Sequence, residues 1–149
     1  MGNPPRKVFD VNHKRGSGGE ILGVRPGGYW FRVKLYESLA DMHAEMADYV
    51  GRQPDSSVAG SFCWRGGAIP RSWFLGIMFL AREDLPKRTV IHESVHVAVR
   101  AVKKTLNRER LVMTDGTVGV RSEELVAYLS SEIAETLIDH LESEELVEW

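Results

Sequence analysis

Residues 71–82, RSWFLGIMFLAR, form an apolar run too continuous to belong to a strand with one wet face. A half-exposed strand alternates, whereas one covered on both faces reads as an unbroken apolar stretch. The segment is therefore expected as a central or covered strand, and the rest of the chain must supply its cover. Gly66–Gly67 and Pro70 are turn signals ahead of it, so SVAGSFCWR, residues 57–65, is expected as its hairpin partner or neighbouring strand. YWFRVKLYE, from Tyr29, reads as another strand by its aromatic and β-branched residues.

Helices account for much of the remainder. SLADMHAEMADYV takes Ser38 as N-cap and ends at Gly51 and Pro54. From Pro86 to Leu106 the pattern is helical. LVMTDGTVGVR, residues 111–121, suggests a small hairpin turning at Asp115–Gly116, and a last helix is expected from Ser122 to Leu141, with Glu123 and Glu124 against the positive end of its dipole. Residues 1–28 are dense in Pro and Gly breakers, among them Pro4, Pro5, Gly16, Gly18, Gly19, Pro26, Gly27 and Gly28, and are expected as an irregular arm. One domain over 29–142 and an acidic tail over 143–149 complete the division. The order of elements predicts an α+β fold, a small twisted β-sheet with the 86–106 helix packed on it and a second, C-terminal helix beside it.

Charge and composition exclude several functions. A net charge of −2 over 149 residues gives no global field for nucleic acid or an anionic membrane. Arg6, Lys7, Lys14 and Arg15 make the start basic, and the end is acidic; both read as solvated segments. A single cysteine, Cys63, rules out an internal disulfide and a cysteine-rich zinc site, and is expected as a small buried hydrophobe. The N-terminus lacks an apolar run of the length a signal peptide needs and no later stretch approaches a membrane span, which predicts a cytoplasmic protein.

IHESVH, residues 91–96, carries the chemistry. On a helix, positions four apart lie about 40° apart around the axis, so His92 and His96 aim at one point, as two nitrogen ligands of Zn²⁺ require. Glu93, about 100° round from His92, can take a proton from an activated water without being a ligand. Ile91, Val95, Ala98, Val99, Val102 and Leu106 make an apolar stripe with the histidines at its border; Arg100, Lys103 and Lys104 are expected in solvent on the other flank. SEELVAY, residues 122–128, offers a carboxylate as third ligand: Glu124, or Glu123 on a different side of the same helix, with Ala127 small enough to let two helices approach. Tyr128 is a candidate oxyanion stabiliser and Arg100 a weaker one. His13, His43 and His140 read as solvated residues, and Trp30, Trp64 and Trp73 as core or near-core, with Trp149 free.

The pair His92-Glu93-x-x-His96 followed by Glu124-x-x-Ala127 resembles the gluzincin group of zinc metallopeptidases. More narrowly, the short sheet, this motif and EELVAYL look like small metallopeptidase-like proteins of tailed bacteriophages and prophages, which would place the chain in a host cytoplasm. The resemblance is motif-specific at 90–100 and 122–129. It implies a minimal zincin-like fold and a zinc-dependent metallopeptidase acting on a peptide or protein substrate, with Glu93 as general base. It also implies that the strand before the motif helix, within Trp73–Ala81, is a sheet edge that pairs with extended substrate. Tyr128 stands where larger members carry an aspartate, and VAVRAV after His96 lacks the third histidine of metzincins. The alternative is a catalytically silent, metal-braced module that binds a protein through the 110–120 hairpin or the basic arm. Nucleic-acid binding by that arm is the least favoured reading.

Overall fold

The computed structural model describes residues 2–13, 28–52, 58–111 and 116–149, with side chains of the last helix described from Glu123 onward. In chain order the elements are β1 (Lys7–Asn12), β2 (Trp30–Tyr36), α1 (Leu39–Val50), β3 (Gly60–Cys63), β4 (Phe74–Ala81), α2 (Lys87–Leu106) and α3 (Gly116–Ser143). The strands form one open mixed sheet in the order β1-β2-β4-β3, so the fold is α+β.

The apolar run becomes β4, an interior strand parallel to β2 and antiparallel to β3. Its two faces are both covered. Met78 and Leu80 join Phe31, Val33 and Leu35 of β2 beneath α2 and α3, while Ile77, Phe79 and Ala81 pack with Met42 and Met46 of α1 on the opposite face. The hairpin expected between residues 57 and 82 is present as β3 and β4. An interior β4 cannot be the substrate-pairing edge expected over Trp73–Ala81; the edge beside α2 is β3.

Helix ends follow local chemistry. The Ser38 side chain accepts the Asp41 N–H at 3.2 Å, and Gly51 closes α1 at φ 78°. Asn107 closes α2 at φ 54°, with Arg108 N–H donating to the Lys103 carbonyl at 3.0 Å. α3 buries Leu125, Leu129, Ile133, Leu137 and Leu141 along one side against α2 and the sheet.

Three boundaries differ from expectation. Within the arm, Lys7–Asn12 is strand β1, antiparallel to β2, with Phe9 and Val11 packed against the core; residues 14–27 lie outside the described residues. Its KVFDVN alternation is a strand signal masked by the surrounding breakers. α3 starts at Gly116, before the expected Ser122, which removes the strand expected after Asp115–Gly116; residues 112–115 lie outside the described residues. Once a long helix is established, each added residue gains a hydrogen bond, so weak helix formers such as Thr117 and Gly119 can extend it. The acidic tail folds back: Glu145 takes φ 54°, Leu146 N–H donates to the Leu141 carbonyl at 2.9 Å, and the Leu146 side chain is buried in the core. Among the described residues, no helix is long and apolar enough to cross a membrane.

Candidate metal centre

α2 follows β4 after a short turn and packs on the sheet and α3, which fixes its rotation. Its buried side carries Val90, Glu93, Ser94, Val97, Ala98, Ala101 and Val102. The expected stripe through Ile91 and Val95 is thus rotated: these two residues are 46 % and 40 % exposed. Arg100, expected in solvent, is only 4 % exposed. His92 and His96 lie on the outer side, next to the exposed Ile91 and Val95.

The Nε2 atoms of His92 and His96 are 3.2 Å apart, with the ring planes at 69°. Two nitrogen ligands at about 2.0–2.1 Å from a tetrahedral ion stand roughly 3.3–3.4 Å apart, so the pair fits such an ion closely. A neutral histidine pair sharing one hydrogen bond would show the same separation. What distinguishes this site is the third group. Glu93 is 7 % exposed, yet its carboxylate has no Lys or Arg partner among the described residues. Its Oε2 accepts the Phe62 backbone N–H from β3 at 2.7 Å, and Oε1 lies 3.9 Å from His92 Nε2.

Close contact between α2 and β3 makes that bond possible. At Gly60 a Cβ would come within 2.7 Å of Thr89 Cγ2 and 2.9 Å of Leu80 Cδ2, so a side chain here would have to displace the side chain that α2 presses against β3. A cleft of ≈ 520 Å³ opens alongside, lined by Gly60 and Ala59 on β3's side and by Arg88, Thr89, His92 and Glu93 on the helix side.

Among the described residues, His92, Glu93 and His96 form the group whose ligating atoms lie within 4.8 Å of one another. Glu124 and Glu123 are exposed near the start of α3 and outside that group. Tyr128 is 54 % exposed, and Ala127 is exposed too rather than sitting at the helix contact. The structure therefore brings together the two histidines and the expected base, and leaves the expected carboxylate ligand and oxyanion stabiliser on a solvent-facing side of α3.

The other histidines are tied down rather than solvated. His13 stacks on Tyr29 and approaches Glu132 at 3.5 Å, His43 Nε2 lies 2.7 Å from the Val58 carbonyl, and His140 packs on Phe9. Trp64 and Trp73 are 43 % and 41 % exposed rather than core residues, and Trp149 Nε1 donates to Glu142 at 2.8 Å. Cys63 is buried, and burial pushes its thiol pKa up.

The Phe62 N–H escaped the sequence reading because a backbone donor has no sequence signature. The burial of Glu93 was hidden differently: it lies three residues after Val90 and four before Val97, on one of two apolar lines that the helix pattern allows. No protein-family model, no curated protein and no solved structure matches this chain. The likeness to gluzincins accordingly rests on residues 90–100 and 122–129.

Proposed function

We propose that the protein is a zinc-dependent hydrolase, a metallopeptidase in which His92 and His96 hold the ion; Glu124 of α3, which stands outside the histidine group in this structure, is offered as third ligand on the motif resemblance alone. The observation that carries this reading is the histidine pair at 3.2 Å beside a buried carboxylate anchored by a backbone N–H. When bound, zinc supplies Lewis acidity, polarising a scissile carbonyl and making water nucleophilic near neutral pH. Glu93 accepts the proton of the attacking water and passes it to the leaving amine. The Phe62 N–H holds Oε2, which leaves Oε1, on the His92 side, to make the transfer. Extended substrate lies along the β3 edge, in the cleft shared with α2.

Elemental analysis of protein purified without a histidine tag tests the ligand set. Stoichiometric zinc is expected in the wild type, lost in His92→Ala and His96→Ala. Glu124→Ala is expected to weaken zinc binding by at least ~10-fold, with Glu123→Ala near wild type. Folded wild-type protein that retains no zinc after add-back would sink the reading.

A second reading is favoured by the apolar residues around the histidines. Ile91 and Val95, which flank the histidines along α2, are 46 % and 40 % exposed, a surface suited to holding a protein without cleaving it. This is the metal-braced binding module, engaging through the outer side of α2 rather than through the 110–120 hairpin or the basic arm. Its complex would survive loss of the Glu93 charge.

A further inference from the structure

A second cavity, of ≈ 310 Å³, lies between the loop joining β3 to β4, the start of β4, and α1 and α2. Arg65, Arg71 and Arg100 line it, and no acidic residue does. On a chain with net charge −2, three arginines line one cavity with no ion pair to any of them among the described residues.

Arg100 is the unusual member. It is 4 % exposed, and its Nε donates to the Leu75 carbonyl at 2.8 Å while Nη1 donates to the Gly67 carbonyl at 3.0 Å. Those bonds make it a strut between α2 and the loop. They engage Nε and Nη1 and leave Nη2 without an acceptor among the described residues. Burial draws the Arg100 pKa down, yet a guanidinium stays charged in a protein. A buried charge without a counter-charge is costly, and an anion in the cavity would supply one.

The neighbouring groups are preorganised for that role. Arg100 stacks on Trp64, with its Cζ 4.8 Å from the ring centroid, and Arg65 stacks on Tyr49 at 4.3 Å, where its Nε also donates to the Tyr49 carbonyl at 3.1 Å. Each ring contact holds a guanidinium against a wall of the cavity, and the N–H groups with no acceptor among the described residues, Nη2 of Arg100 and both Nη atoms of Arg65, stay available to a carboxylate or phosphate. Phe74 and the exposed Trp64 add flat apolar wall.

We propose that this cavity is an oxyanion-binding site for a ligand that presents a carboxylate or phosphate to Arg65, Arg71 and Arg100 and lays a flat or apolar body against Trp64 and Phe74. The site requires no metal and stands apart from the hydrolase reading.

Isothermal titration tests it on the full chain with a chelator present and ionic strength held constant. The probes are inorganic phosphate, an N-acetylated tripeptide ending in Trp with a free α-carboxylate, and the same tripeptide as its C-terminal amide. Arg65→Gln and Arg71→Gln leave the Arg100 struts in place, and circular dichroism checks their folding. Saturable binding of the free acid or of phosphate is expected, absent for the amide and weakened about 10-fold or more in each variant. Binding of the acid alone identifies a carboxylate source, and binding of phosphate alone a phosphorylated one. The proposal is overturned if neither anion saturates, if the amide binds as tightly as the acid, or if both variants bind like the wild type.

Discussion

Glu93→Gln is expected to keep zinc and thermal stability at wild-type levels while lowering peptide hydrolysis by at least ~10²-fold, the range of general acid–base catalysis. The variant is informative because of what it preserves. A glutamine carbonyl can still accept the Phe62 N–H that Oε2 accepts in the native protein, so the β3–α2 contact persists and only the proton acceptor is lost. Glu93→Ala should lose turnover equally and also leave that N–H without its partner, at a cost of about 1–3 kcal/mol. Turnover, zinc content and urea midpoints for the two variants separate catalysis from structure. Full activity in Glu93→Gln would remove the general base from the mechanism, and an unchanged protein complex would favour the binding module.

Gly76→Val is expected to give the largest loss of stability of any single substitution considered. Gly76 has φ 148°, and a Cβ there would come within 2.4 Å of the Cys63 backbone carbonyl oxygen. Neither problem has a flexible side chain to absorb it. Strain at the positive φ contributes about 1–3 kcal/mol and overpacking a similar ~1–3 kcal/mol, a large part of the ~5–15 kcal/mol that holds a typical domain folded. Gly67→Ala in the adjoining loop, where nothing lies within 4 Å of the added Cβ, is the control and should be nearly neutral. Denaturant midpoints check both, and a Gly76→Val midpoint close to the control would contradict the close approach of β3 and β4.

The elements with a local cause were legible in the sequence. The unbroken apolar run required cover on two faces, Ser38 and Gly51 fixed the ends of α1, and the HExxH spacing put two imidazoles together. The rotation of α2 was not legible, since apolar residues recur at 90, 91, 95, 97, 98, 99, 101 and 102 and support either of two stripes. The choice between them depends on groups distant in the chain. Glu93 turns inward to the Phe62 N–H and Arg100 to the Leu75 and Gly67 carbonyls, and these contacts place Ile91 and Val95 outside. Glu124 shows the same limit from the other side: its spacing after the motif is suggestive, but the direction of its side chain depends on which face of α3 meets the sheet.

β1 has a consequence for how the chain can be handled. It is the sole described partner of β2 on that side, matching it from Lys7 opposite Leu35 to Asn12 opposite Trp30. Trimming the first residues as though they were a dispensable leader would strip this border from a strand whose inner face is Phe31, Val33 and Leu35. The uncovered rim would then offer a row of free amides and carbonyls to another trimmed copy, and strand-to-strand self-association would follow. The N-terminal segment thus decides which strand forms this rim of the sheet, the half-exposed β1 rather than the more apolar β2.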